Sequence, residues 1–183
     1  MDDPLTLRFA STIRARRTGL TDALDTPESM SQWLAANSLP IPGLTEETHR
    51  RVVALRQAVR ALFAKAVSPA PPSSADANAL PPFQEALALV NREASPVLRQ
   101  LSWQGGWQEE AAPTAATEES RLTAALAEAT IGFFASPDVK EVRACPAPRC
   151  VLYFVKKHPR QEWCSIACGN RARAARHYHQ HRP

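Results

Sequence analysis

Four cysteines constrain this 183-residue chain more than any other feature, and all of them lie in its last quarter. They fall as Cys145-x4-Cys150-x13-Cys164-x3-Cys168. Zinc takes four soft or borderline ligands at the corners of a tetrahedron, and thiolates suit it. A short spacing lets one loop fold two sulfurs onto one ion, and two such pairs brought together by a hairpin close the shell. Both pair spacings match the two to four residues that zinc modules use. A shell made wholly of cysteine leaves no open position for a substrate, so one structural Zn2+ is expected. The competing reading is four free or buried thiols; paired spacing in a reducing compartment favours metal. Met1-Asp2-Asp3-Pro4 has no apolar signal core, and no run approaches the roughly 20 apolar residues of a membrane span. A cytoplasmic, nucleoid-associated protein without a membrane partner is the expectation.

The residues between the cysteine pairs fit this geometry. Val151-Leu152-Tyr153-Phe154-Val155 reads as a strand, Lys156-Lys157-His158-Pro159-Arg160 as a polar turn, and Glu162-Trp163 as a short returning strand. Ser165 can then cap a helix and place Cys168 in its first turn, where the helix dipole favours thiolate. Knuckle, hairpin and helix make a treble-clef-like finger. His158 is a possible substitute ligand, but four cysteines leave it an exposed turn residue.

The net charge of +4 conceals an asymmetry. Through residue 139 there are 12 Lys and Arg against 16 Asp and Glu; from residue 140 on there are 10 against 2. A basic block on an acidic body points to an anionic partner, most commonly nucleic acid. The block continues from Cys168 as Gly169-Asn170-Arg171-Ala172-Arg173-Ala174-Ala175-Arg176-His177-Tyr178-His179-Gln180-His181-Arg182, rich in helix formers. Arg173, Arg176, His177 and Gln180 share one helical face; Arg171, Ala175, Tyr178 and Arg182 share another. Guanidinium forks suit phosphates and guanine edges. Lys156, Lys157 and Arg160 in the finger turn can add phosphate contacts. Asn170 and Arg171 adjoin a metal ligand, so bracing of the finger and nucleic-acid contact stand as equal readings. The bland alternative for the whole stretch is a solvated basic helix. His177, His179 and His181 are spaced by two, which does not place neighbours on one face, so they read as polar surface rather than ligands.

The rest of the chain reads as mostly helical. Residues 5–16 form a first helix. Thr26-Pro27-Glu28 starts a second that runs to about Asn37 and buries Met30, Trp33 and Leu34; Leu39-Pro40-Ile41-Pro42-Gly43 stops it. After Thr45, Val52, Leu55, Val59, Leu62 and Phe63 recur at helical spacing, with Arg50, Arg56 and Arg60 read as the opposite face. Residues 68–82, rich in Pro, Ser and Ala, read as an exposed loop. A helix follows over residues 83–93 through Phe83, Leu87 and Val90. Residues 97–103 and 107–111 flank Gln104-Gly105-Gly106 as a β-hairpin. Thr117-Glu118-Glu119 caps a helix lined by Leu122, Leu126, Ala129 and Phe133, which Ser136-Pro137 ends. The expected fold is therefore mainly α with a β-hairpin: a helical N-terminal domain over residues 1–138, large enough for its own core, and a finger over residues 139–183. A chain ending near Asp138 should stay folded on this reading.

The run Trp163-Cys164-Ser165-Ile166-Ala167-Cys168-Gly169-Asn170-Arg171, with Cys145 and Cys150 upstream, resembles the CGNR zinc finger. That family joins the finger to an N-terminal domain called ABATE. The Trp33-Leu34 helix, the Ala54-Leu55-Arg56 helix and Phe133-Phe134-Ala135-Ser136-Pro137-Asp138 resemble ABATE sequence. Two departures are visible. The last cysteine pair is commonly one residue wider in the family, and the segment from Leu5 to Thr12 lacks the Asp and Asn often found there; Arg8 and Ser11 stand near those places. The resemblance implies a bacterial, stress-induced transcriptional regulator.

Together these readings predict a sequence-specific regulator of transcription: a helical sensor or scaffold domain, followed by a zinc finger whose basic helix contacts double-stranded DNA. The N-terminal domain would take a small-molecule effector, and a homodimer is a further expectation. A protein-interaction or dimerisation finger is the alternative, and RNA shares the electrostatics of DNA. No catalytic residues are expected. The sequence has no phosphate-cradling glycine loop, nucleophile elbow or helical metalloprotease motif. Asp22, Asp25 and Glu28 read as a solvated acidic face, and Trp103 and Trp107 as cross-hairpin packing.

Overall fold

The computed structural model describes residues 3–16, 19–39, 41, 43–76, 80–94, 99–103, 107–111 and 117–180. In chain order these form α1 (Leu5–Ala10), β1 (Ile13–Arg16), β2 (Gly19–Asp22), α2 (Pro27–Ala36), α3 (Glu46–Val67), α4 (Phe83–Ala94), β3 (Arg99–Trp103), β4 (Trp107–Ala111), α5 (Glu118–Phe134), β5 (Val142–Ala144), β6 (Tyr153–Val155) and α6 (Ile166–Gln180), with a 3-10 turn at Pro137–Glu141. The six strands make three antiparallel pairs in sequence order.

The helix starts follow capping chemistry. The Thr26, Thr45 and Thr117 hydroxyls accept from the backbone N–H three residues on, and Thr26 and Ser29 complete a capping box ahead of Pro27. The 22-residue α3 is the central element. It fully buries Val52, Leu55, Val59 and Phe63 against α1, α4 and α5, each contributing about 1.5–3 kcal/mol by leaving water. On α4 the core face belongs to Ala86 and Val90, while Leu87 is exposed. The hairpin read from the sequence exists: β3 pairs with β4, with Trp103 opposite Trp107. Its turn, residues 104–106, and residues 97–98 lie outside the described residues, as do Pro40 and Pro42.

Three expectations are corrected. The first helix ends at Ala10 rather than running to residue 16. Thr12 turns its hydroxyl onto the Phe9 carbonyl (2.9 Å), and Ile13–Arg16 pairs with Gly19–Asp22 as a hairpin. Gly19, at φ 132°, supplies backbone that an L-residue resists. Arg56 and Arg60 are not on the solvent face: both are buried, Arg60 completely. Val52, Arg56 and Arg60 succeed one another at i+4 and so share a side of α3. The loop after α3 is not simply exposed, since Ser73 and Asp76 are buried.

Those last two corrections are one structure. Arg60 donates Nε and Nη2 to the two oxygens of Asp76 (2.7 and 3.0 Å), Nη1 to the Ala10 carbonyl (2.6 Å), and Nη2 to Ser73 Oγ and the Val151 carbonyl (3.1 and 3.2 Å). The Tyr153 hydroxyl donates to Asp76 (2.7 Å), and its ring stacks on Phe63 at 5.2 Å. Burial and then the Asp76 hydrogen bond push the Tyr153 phenol above its ordinary value, so it remains a donor. One guanidinium thus joins α1, α3, the loop and the approach to the finger.

The hydrophobic core therefore continues past residue 138, because Val142 and Tyr153 belong to the same buried cluster as Phe63 and Phe133. A chain ending at Asp138 is expected to lose about 3–5 kcal/mol, the usual effect of removing a large buried aromatic. Amide exchange in α3 should then be faster than in the full chain. Equal α3 protection in both would show that the helical body needs nothing from β5 and β6.

Candidate metal centre and basic helix

The finger begins with the β5–β6 hairpin, whose register sets Val142 opposite Val155 and Ala144 opposite Tyr153. The first cysteine pair occupies the connection. The Cys145 N–H donates to the Leu152 carbonyl and the Cys150 N–H to the Ala147 carbonyl, both at 2.9 Å. The second bond closes a turn with Pro148 at its second position and Arg149, at φ 60°, at its third. That is a type II turn, whose third position favours glycine.

The second strand of the finger is thus paired with upstream residues 142–144. The return strand expected at Glu162-Trp163 does not form. Instead the Gln161 side chain ties the turn together, accepting from the Lys157 N–H (2.8 Å) and donating to the Trp163 carbonyl (3.2 Å). His158 is exposed, and its Nδ1 accepts from the Arg160 N–H; it is a turn residue, not a ligand. Ser165 caps α6 as expected, its Oγ accepting from the Cys168 N–H at 3.2 Å, so Cys168 lies in the first turn.

The fold brings all four sulfurs to within 4.8 Å of one another. Cys150 and Cys164 are 3.8 Å apart, and Cys164 and Cys168 3.5 Å. A tetrahedron with Zn–S bonds of about 2.3 Å has edges of about 3.8 Å. The Cys164 N–H also points at Cys145 Sγ (3.5 Å), the backbone-to-sulfur bond that a thiolate shell favours. Four thiolates this close repel one another. Neighbouring S–H donors hold the Cys145 thiol far below its ordinary value, and proximity to Cys145 pushes the Cys150 and Cys164 thiols up. A dication resolves that conflict. The four cysteines form a site for one zinc.

The residues after Cys168 each have a geometric role. Gly169 packs tightly against Trp163: a Cβ there would sit 3.0 Å from the ring, so the indole would have to shift by a few tenths of an ångström. The Asn170 side chain accepts from Arg173 Nη2 at 2.6 Å, and the Arg173 guanidinium lies 5.7 Å from the centre of the Trp163 ring. Arg171 Nη2 donates to Cys168 Sγ at 3.1 Å. The metal centre is thereby linked to the orientation of α6.

The basic candidates divide between two surfaces. Arg160 and Arg173 flank a groove with Trp163, Ile166 and Gly169. Arg176, His177 and Gln180 continue exposed along the same side of α6. Lys157 and Arg171 instead face a cleft between the finger and the β1–β2 hairpin. Lys157 pairs with Asp3 at 3.8 Å. Lys156 is half-buried beside β6 and lines neither surface; its N–H donates to the Glu141 carbonyl.

The sequence reading missed the Arg60 junction and the arginines of that cleft. A signal for the first exists: Asp76 is the one charged residue between Lys65 and Glu85, a lone carboxylate in a low-complexity loop. Arg16 and Arg149 are far apart in sequence and gave none.

A helical body carrying a four-cysteine finger with a basic helix defines a zinc-finger protein. Residues 3–137 match the ABATE family, whose description is "Putative stress-induced transcription regulator", and residues 141–181 match the CGNR zinc finger. The chain belongs to the ABATE family and ends in a CGNR finger. No curated protein matches it. Both families are regulatory or zinc-finger in kind. Among the described residues no helix is long and apolar enough to cross a membrane.

Proposed function

We propose that this protein regulates transcription by binding double-stranded DNA through the outer face of α6. The observation that carries the reading is the exposure of that face: Ile166, Arg173, Arg176, His177 and Gln180 all face solvent, and Arg160 lies beside them. A 15-residue helix is about 22 Å long, enough to lie in a major groove. Within the reading, Arg160 and Arg176 meet phosphates, Arg173 is held by Asn170 and Trp163 at a fixed angle suited to a guanine edge, and Ile166 can touch a thymine methyl. Asn170 positions Arg173, and Arg171 serves the metal. Residues 1–138 act as sensor or scaffold and residues 139–183 as the reader. The protein works by recognition rather than catalysis, on the nucleoid. A homodimer would read two half-sites one helical turn apart.

Selection of bound sequences from a random duplex pool tests sequence-specific binding directly. Failure to enrich any sequence, together with stronger binding of RNA, would move the reading to RNA. Replacing Arg176 with Ala keeps helix propensity and touches no zinc ligand. We expect affinity to fall about tenfold on every duplex, with the salt slope reduced by about 0.9, one phosphate's worth. An unchanged slope in the zinc-loaded variant would remove α6 from the interface and favour a protein-contact finger.

A further inference from the structure

We propose that the arginine-lined cleft between the β1–β2 hairpin and the finger binds a small phosphate-bearing molecule, with Arg16, Arg149 and Arg171 as its anion cradle. This goes beyond the DNA reading and does not depend on it.

The cleft has a volume of about 530 Å³, within the range of small-molecule sites. Its floor is the apolar run from Val151 to Val155, and its walls carry Arg8, Arg14, Arg16, Arg149, Lys157 and Arg171. Among the described residues Asp3 is the one carboxylate lining it. Set against Asp3 and a doubly negative zinc–tetrathiolate, those six cations leave an excess of positive charge. At one end is a recess of about 200 Å³ whose lining, among the described residues, is Ala15, Arg16, Arg149 and Arg171.

Three further observations favour an anionic ligand. The Nε groups of Arg8 and Arg171 are buried without a hydrogen-bond partner among the described residues. Such donors cost stability unless something accepts from them. The Arg16 and Arg149 side chains are exposed, and neither guanidinium makes a hydrogen bond or ion pair with another described residue. Finally, Arg149 occupies the left-handed position of the knuckle turn, at φ 60°. A side chain there is strained where glycine would not be. The side chain thus stands at a backbone position that disfavours it, and it lines the recess.

The shape favours a small ligand over a duplex. Arg171 and Arg173 are two residues apart, so they face nearly opposite sides of α6. A duplex on the outer face would leave the concave cleft free. A phosphate in the recess would meet Arg171 beside Cys168, and so contact the zinc centre and the hairpin at once.

The test is calorimetric titration of zinc-loaded full-length protein with inorganic pyrophosphate, against chloride at matched ionic strength. Zinc content is measured afterwards in every sample. One saturable site is expected in the unaltered protein. Arg149→Gly relieves the backbone strain while removing the guanidinium, so the finger should keep its zinc and its stability while pyrophosphate binds at least tenfold more weakly. Arg16→Gln, outside the finger, should weaken it too. Arg92→Gln, the same charge change on the exposed side of α4, should have no effect. Binding no tighter than chloride, or binding unaltered in Arg149→Gly and Arg16→Gln, overturns the proposal. So does competitive displacement by a duplex with parallel loss of duplex binding in both variants, which would assign the cradle to DNA phosphates.

Discussion

Removing zinc should unfold residues 164–180 while leaving the helical body intact. The finger's own buried cluster is small: Cys145, Ala147, Cys150, Phe154 and Cys168, with Leu152, Trp163, Cys164 and Ala172 against it. Four of those nine residues are the ligands, so little apolar burial remains without metal. Structural zinc in isolated fingers contributes about 10–16 kcal/mol of binding free energy at neutral pH. An unattached 15-residue helix is marginal in water. A strong chelator, or Cys164→Ser, should therefore release one zinc and erase the α6 contribution to the far-ultraviolet dichroism. The β5–β6 hairpin should behave differently, because Val142 and Tyr153 are anchored in the body. Amide exchange resolves the two: protection lost in α6, kept in α3 and largely kept in β6. Protection of α6 that survives complete metal removal would show that packing, not zinc, holds the helix.

The second large effect lies at the Arg60 junction. Replacing Arg60 with Met leaves Asp76 as a buried carboxylate without its cation, and breaking such a pair costs about 3–5 kcal/mol. For a chain of this length that lowers Tm by on the order of 10 °C. The companion change Asp76→Leu on the Arg60→Met background should recover a substantial part of the loss, because the uncompensated charge is gone. The Tyr153 hydroxyl would lose its acceptor with Asp76, so recovery should be incomplete. A single Arg60→Met variant with unchanged Tm would mean that the junction carries no net stability. The same variant tests coupling: Arg60 and Ser73 both donate to the Val151 carbonyl, one residue past Cys150. Metal should therefore be held less firmly when Arg60 is gone, and a competition titration with a chelator reads that directly.

Local chemistry was legible in the sequence because it acts over a few residues. Cys145, Cys150, Cys164 and Cys168 announced one metal through their spacing, and the threonine caps, the Ser165 cap and the Trp103–Trp107 hairpin are decided by neighbours in the chain. The charge block of the last 44 residues is likewise a property of composition. What the sequence alone did not decide is partner choice. The run from Val151 to Val155 read as a strand, and Tyr153–Val155 is one, but the hairpin it joined was set by Val142 and Tyr153 finding the body core, so it paired upstream and not with Glu162-Trp163. Ile13–Arg16 carries enough helix formers to extend α1, yet the Thr12 turn and Gly19 fold it back as a hairpin. Arginine reads as solvent-facing by default, because burying an unpaired charge is prohibitive. Arg60 could be buried only because the loop returns Asp76, 16 residues on, to meet two of its three nitrogens. The convergence of Arg16, Arg149 and Arg171 is of the same kind. No spacing rule links residues 16, 149 and 171; the tertiary fold alone brings the first hairpin against the metal centre.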